Sequence, residues 1–174
     1  FTGAQTFLEE AAERALTWLA YQSPDDMVMV GQLPTSDWRD EQSVFGYGLY
    51  VNTLVYIALK LMHRREEAKL LKSLMNRLEV QGPIKQPHAH EGLVVRKKPY
   101  YALYSYKTYN SDRFDLLGNS LAILSGIASP SRADSLIRWV ETECRGLRDR
   151  GDLVVDAPPC LFPYIRRKDP DWRT

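Results

Sequence analysis

The chain has 174 residues, of which 44% are apolar and 26% are charged. This length suits one domain, and the composition excludes a chain that is disordered throughout. The 23 lysines and arginines are balanced by 22 aspartates and glutamates, so the net charge of +1 provides no strong field for nucleic acid or acidic lipid. No apolar stretch approaches the roughly 20 residues that a membrane span needs.

Hydrophobic periodicity predicts five helices, over residues 5–21, 49–62, 64–79, 115–128 and 130–145. Thr6 and Glu9 match a capping box at the start of the first helix. The second helix is apolar on nearly all sides, which predicts that it is buried. Two long connections, 27–46 and 80–113, carry turn residues and are predicted as loops. We therefore predict an all-α fold with its function in the long loops.

Cysteine and histidine spacing gives little support for metal or redox chemistry. Cys144 and Cys160 form no C-x-x-C motif, and a reducing cytoplasm is the simplest compartment for them. His88 and His90 could share a metal, but no third ligand follows at a fitting distance, so ordinary loop histidines explain them. The sequence predicts neither a metal nor an organic cofactor.

The densest polar cluster runs from Thr35 to Gln42, just before the most apolar helix. It contains three carboxylates, an arginine and a tryptophan. An arginine can keep one carboxylate ionised while an apolar neighbour raises the pKa of another, which is the arrangement of an acid–base site. The alternative is helix capping with a surface ion pair.

Three further segments each allow more than one interpretation. Arg96–Tyr109 combines basic residues with tyrosines, which could form a single-strand nucleic-acid platform, face a sugar, or pack in the core. Phe45–Leu49 matches no phosphate-binding loop, so its glycines predict a tight turn into the helix. Asp115 and Asn119 lie on one helix face, either toward a ligand or as a capping aspartate and a core asparagine.

Two motifs, in order, resemble those of the helical-toroid glycoside hydrolases. That clan includes neutral/alkaline invertases, trehalases, processing α-glucosidases, mannosylglycerate hydrolases and amylo-α-1,6-glucosidases. The first motif is Trp38-x-Asp40 followed by F-G-Y-G-L-Y-V-N over residues 45–52. The second, residues 113–123, is similar to the invertase pattern R-F-F-T-L-G-N-x-W-x-I. The resemblance covers residues 35–174 and implies that 1–174 form one partial catalytic domain, the middle portion of an (α/α)6 toroid.

The resemblance implies an inverting hydrolase of an α-linked sugar such as an α-glucoside, sucrose or a glycosylglycerate. Asp40 matches the general acid best, and Asp37 is the alternative. Tyr50 stands where the clan has a carboxylate. The resemblance and the tyrosine-rich segment together indicate ten substrate-binding residues: Trp38, Arg39, Glu41, Gln42, Tyr47, Tyr50, Asn52, Tyr106, Arg113 and Asn119. The segments Asp37–Gln42 and Tyr100–Tyr109 are expected to line the same concavity.

The clan's W-P-E-Y segment, which carries the general base, has no match in these residues. The resemblance therefore implies a fragment that is inactive by itself. A non-catalytic helical carbohydrate-binding or scaffold protein is the alternative. Both hypotheses predict a small carbohydrate partner, with no nucleic acid and no membrane. Apolar side chains without partner helices also predict self-association, at Leu54, Ile57, Leu61 and Leu121.

Overall fold

A computed structural model describes residues 8–23, 28–38, 44–77, 92–106 and 109–169. These ranges contain five helices: α1 (Glu9–Ala20), α2 (Leu49–Leu61), α3 (Arg65–Met75), α4 (Leu116–Ser125) and α5 (Pro130–Asp149). They also contain four strands: β1 (Tyr47–Gly48), β2 (Ala102–Tyr106), β3 (Tyr109–Asp115) and β4 (Leu161–Phe162). The strands form one antiparallel sheet in the order β1-β2-β3-β4.

The prediction of an all-α toroid is wrong, because the fold is a mixed α/β arrangement. The error lies in the stretch 80–113, which was assigned to a loop although it contains β2 and the start of β3. Tyrosine is favoured in strands because its flat side chain packs well on a pleated surface. Tertiary pairing with β1 and β4 then turns this tyrosine-rich segment into the centre of the sheet.

The five predicted helices are confirmed, with shifts of a few residues at their ends. The Asp115 side chain caps α4 by accepting a hydrogen bond from the Gly118 N–H at 2.8 Å. Ser129 caps α5 in the same way, and Pro130 follows at the first turn. Thr6 lies outside the described residues. None of the helices in the described ranges has the length and apolar character needed to cross a membrane.

The core consists of two apolar clusters. The larger one joins α2, α3 and the segments before β1 and β2, and its fully buried members include Tyr47, Leu49, Leu71, Met75 and Tyr101. The smaller one packs the other part of the sheet against α5, with Trp139 between Tyr100 and Phe114 at ring-centroid distances of 4.5 and 5.1 Å. Tyrosines of the predicted loop therefore belong to both cores.

Helices α2 and α4 pack against each other and leave some apolar side chains in contact with water. Leu54 and Leu61 are 42% and 73% exposed on α2, and Leu124 is 81% exposed on α4. Ile57 and Leu121 are half-buried. Helix α2 is thus buried on one broad face rather than all round, and self-association through the exposed leucines stays a prediction.

Asn52 joins the start of α2 to an extended segment that precedes it. Its Oδ1 accepts a hydrogen bond from the Val30 N–H at 2.8 Å, and its Nδ2 donates to the Val30 carbonyl at 2.9 Å. Nδ2 also donates to the carbonyl of Gly48, four residues earlier, at 2.9 Å. The side chain is fully buried, so its amide is used entirely within the protein.

Asn119 performs the same task at the start of α4. Its Oδ1 accepts from the Tyr101 N–H at 2.8 Å, and its Nδ2 donates to the Tyr101 carbonyl at 3.2 Å and to the Asp115 carbonyl at 2.9 Å. It is also fully buried. Helices α2 and α4 are therefore each attached to extended backbone by an equivalent set of three hydrogen bonds.

We expect Asn52→Ala and Asn119→Ala each to lower the free energy of unfolding by roughly 2–4 kcal/mol. Each change removes three hydrogen bonds and leaves buried backbone groups without partners. Urea denaturation monitored by circular dichroism measures the loss. Lys69→Ala, at an exposed position on α3, is the control for a surface substitution, with an expected change below about 1 kcal/mol. Two buried-asparagine variants as stable as this control would contradict the assignment.

Candidate functional site

A cleft of about 600 Å³ lies between the end of α1 and the segment that leads into α2. This volume falls within the roughly 300–1,000 Å³ of ligand pockets. Aromatic side chains line the cleft on two sides. Trp18 and Tyr21 belong to α1 and its C-cap, whereas Phe45 precedes β1 and Tyr106 ends β2. None of the described residues that line this cleft carries a formal charge.

The floor of the cleft is a short backbone ladder. The Gln32 N–H donates to the Gly46 carbonyl at 2.8 Å, and the Gly46 N–H donates back to the Gln32 carbonyl at 2.9 Å. Gly46 has a φ of +81°, and a Cβ at this position would lie 2.2 Å from the Tyr106 Cβ. Only glycine meets both conditions. The glycines of Phe45–Leu49 lead into α2 through paired backbone instead of the predicted tight turn, since Gly46 forms a bridge with Gln32 and Gly48 belongs to β1.

Two aromatic rings, those of Phe45 and Tyr106, form the inner wall of the cleft, and the ring of Tyr47 packs behind them. Tyr106 meets Phe45 edge to face at 5.1 Å and Tyr47 at 5.8 Å, both favourable geometries for aromatic pairs. Tyr47 is fully buried, so it supports Tyr106 from behind and does not reach the cleft surface. Of the predicted substrate-binding tyrosines, Tyr106 is the one that lines the cleft, whereas Tyr50 is half-buried on α2 away from its lining.

Gln32 links the cleft to the acidic loop. Its Nε2 donates to the Asp37 Oδ2 at 3.4 Å, and Ser36, the neighbour of Asp37, lines the cleft. Gln32 is only 8% exposed, and its Oε1 is buried without a hydrogen-bond donor among the described residues. That oxygen fits because Gly48 has no side chain, since a Cβ there would lie 2.1 Å away. Buried acceptors without donors are rare in protein interiors.

The acidic cluster is described only at its beginning. Asp37 is half-buried, and Trp38 is 47% exposed beside it. Arg39, Asp40, Glu41 and Gln42 lie outside the described residues. Ser36 and Tyr106 line the same cleft, so the residue before Asp37 and the end of β2 meet at one concavity. Asp37 and Trp38 are not among the described residues that line it, and the expectation that Asp37–Gln42 and Tyr100–Tyr109 line one concavity stays a prediction.

Asn52 and Asn119 have structural roles in place of the predicted substrate contacts. Both side chains are fully buried, and their amides bind backbone groups of this chain. For Asp115 and Asn119, the interpretation as a capping aspartate and a core asparagine is confirmed. The motifs that carry the glycosidase resemblance therefore contain residues that shape the fold.

Arg113 binds the segment that follows β4. Its guanidinium donates to the carbonyls of Pro163 and Tyr164, and to the Asp169 Oδ2 at 2.9 Å. The Arg113 side chain is 11% exposed. It therefore fastens residues 163–169 to β3 and is not among the residues that line the cleft.

Tyr100 and Tyr101 of the segment Arg96–Tyr109 are not part of an exposed stacking platform. Tyr100 and Tyr101 are buried, and the Tyr101 hydroxyl donates to the Asn76 Oδ1 at 2.7 Å. Burial raises the pKa of Tyr101 to about 12, although the nearby Arg132 guanidinium acts in the opposite direction. The packing alternative accounts for these two tyrosines, while Arg96 and its two lysine neighbours are exposed.

Metal-binding candidates are few in the described ranges. No group of three or more His, Cys, Asp or Glu side chains that could hold an ion occurs there. His88 and His90 lie outside those ranges. Cys144 is buried and Cys160 is exposed, and both are free thiols.

Four cleft residues were missed by the sequence analysis: Trp18, Tyr21, Gln32 and Phe45. The available signal for the first two was a pair of aromatic residues three positions apart at the end of an amphipathic helix, which places them on one face. Gln32 and Phe45 gave no such signal, because their roles arise from the pairing of residues 32 and 46.

The Asp169 carboxylate makes the attachment of residues 163–169 sensitive to pH. The Arg166 N–H at 2.7 Å and the Arg113 guanidinium hold the pKa of Asp169 below its usual value. A lowered folded-state pKa stabilises the protein at pH values above the unfolded-state pKa, and this contribution disappears as the pH falls through the folded-state pKa. We therefore expect wild type to be more stable than Asp169→Asn at neutral pH, with a difference that shrinks in acid.

Urea midpoints of both proteins between pH 7 and pH 2 measure this difference. Asp134→Asn, at an exposed position on α5, controls for the loss of one negative charge. A difference between wild type and Asp169→Asn that stays constant over the whole range would contradict the assigned contacts.

Comparison with known proteins identifies no family for this chain. No family model matches it, and no curated protein matches it. The resemblance to glycoside hydrolases therefore rests on the two motifs around Asp40 and Asn119. Its functional content stays a prediction.

Proposed function

We propose that this chain is part of an inverting glycoside hydrolase that acts on a neutral, α-linked sugar. The observation that carries the proposal is the meeting of an uncharged, aromatic-walled cleft with the acidic loop through Gln32 and Asp37. The motif resemblance independently assigns the acid to that loop. Two separate lines of reasoning thus indicate the same place in the chain.

The lining of the cleft favours a sugar over other small ligands. A phosphate or carboxylate ligand would call for an Arg, a Lys or a helix N-terminus, and the described lining has no Arg or Lys. One face of a pyranose ring carries C–H groups, which match the negative face of an aromatic ring. Its hydroxyls suit the side-chain amide of Gln22 and the hydroxyl of Ser36, which both line the cleft.

In the proposed mechanism, Asp40 protonates the leaving oxygen of the glycosidic bond. A second carboxylate, roughly 6.5–9.5 Å away, activates water on the opposite face of the sugar. Asp37 accepts a hydrogen bond from Gln32, which fixes the direction of a carboxylate that orients a sugar hydroxyl in this mechanism. The resemblance offers no match for the base segment, so binding without turnover is expected of these 174 residues alone.

The proposal also covers the location and the assembly of the chain. The two free cysteines are consistent with a reducing compartment, and we propose the cytoplasm. Neither a metal nor an organic cofactor is required by acid–base hydrolysis. Self-association through the exposed leucines of α2 and α4 is part of the proposal.

In a protein that carries both carboxylates, Asp40→Asn should lower kcat by roughly 10²–10⁴ and leave the fold intact. The amide preserves the shape of the carboxyl group but cannot donate the proton. Asp37→Asn should mainly weaken binding and leave most of kcat. Release of reducing sugar from α-glucosides, sucrose and a glycosylglycerate measures turnover.

Binding to the 174-residue chain, measured by calorimetry, separates the remaining outcomes. Asp134→Asn is again the charge control. Sugar binding without turnover, even in a longer protein that supplies a base, would favour the non-catalytic carbohydrate-binding alternative. A larger loss of kcat in Asp37→Asn than in Asp40→Asn would move the acid to Asp37. No binding of any sugar would contradict the proposal.

A further inference from the structure

The outer wall of the cleft, formed by Trp18 and Tyr21, is more exposed to water than the inner wall, formed by Phe45 and Tyr106. Trp18 is 62% exposed and Tyr21 is 83% exposed, although both line the cleft. They lie three positions apart on α1 and its C-cap, so their rings share one side of the helix. Opposite them, Phe45 and Tyr106 are half-buried and pack against each other.

A backbone hydrogen bond and an ion pair attach α1 to the rest of the structure. The Gly31 N–H donates to the Gln22 carbonyl at 2.9 Å, which ties the end of α1 to the floor of the cleft. Within the first half of the helix, Glu13 forms an ion pair with Arg64. The exposed aromatic rings of α1 therefore face the cleft as part of the fold, although no residue of α1 is buried in the core.

We propose that Trp18 and Tyr21 form a second sugar-binding position, so that the cleft takes a neutral oligosaccharide of at least two units. This inference rests on the proposed function. One unit packs at the inner wall, near Gln32 and the acidic loop. The next unit stacks on the outer wall, where it covers aromatic surface that is otherwise left in water.

The described lining carries aromatic rings and polar side chains without a formal charge, which favours a neutral second unit. A phosphorylated or acidic sugar would enter without a cationic partner from the described lining, at the cost of its lost hydration. A wholly apolar ligand would cover the polar side chains of Gln22 and Ser36 and offer them no hydrogen bonds. A neutral saccharide satisfies both the rings and the polar groups.

Calorimetric titration with methyl α-glucoside, maltose and maltotriose tests the inference on the 174-residue chain. Wild type should bind maltose more tightly than the single unit. Trp18→Ala and Tyr21→Ala should each weaken maltose binding by roughly two- to tenfold and leave methyl α-glucoside binding unchanged. Trp18→Phe should retain part of the gain, because a smaller ring still stacks.

Arg14→Ala is the matched control, since Arg14 is exposed on α1 and is not among the residues that line the cleft. Circular dichroism checks that each variant keeps its helices. Equal maltose binding by wild type and both aromatic variants would overturn this inference and leave the proposed function standing. No binding of any of the three sugars by wild type would contradict the proposed function itself. Binding of an apolar dye without sugar binding would overturn both.

Discussion

Two buried asparagines hold the geometry on which the remaining features depend. Asn52 and Asn119 each saturate both backbone groups of one extended residue and one carbonyl at the start of a helix. An asparagine amide can do this because it offers a donor and an acceptor in one plane, matched to a peptide group. Buried peptide groups without partners are costly, so each asparagine fixes where a helix begins relative to the backbone beside it.

The cleft is a consequence of the first of these contacts. Val30, held by Asn52, is followed by Gly31 and by Gln32, whose pairing with Gly46 forms the cleft floor. The same pairing places Phe45 beside Tyr106 at the end of β2. A loop of ordinary flexibility would not bring an acidic segment, an aromatic wall and a buried amide to one point. Here the sheet and the start of α2 impose that arrangement.

The helices could be predicted from sequence because their apolar residues recur with the helical period, and Asp115 was recognised as a possible cap. The sheet could not, since its strands are short and its tyrosines carry no clear two-residue alternation of polarity. The glycines before α2 predict a tight turn, whereas Gly46 and Gly48 lie in backbone paired with Gln32 and with β2. The roles of Trp18 and Gln32 were not, because they depend on the long-range pairing of residues 32 and 46 and on the placement of α1.

The structure distinguishes two kinds of residue within the motifs, those that stabilise the fold and those that lie near the cleft. Asn52, Arg113 and Asn119 belong to the motifs and stabilise the fold, while Tyr106 and the loop around Asp37 meet at the cleft.

A crystal structure of the chain with an α-linked disaccharide tests the central claim most directly. We predict electron density for the disaccharide between Trp18 and Tyr106, with one sugar hydroxyl close to Gln32. Disaccharide bound elsewhere, with this cleft unchanged and free of sugar, would contradict the account.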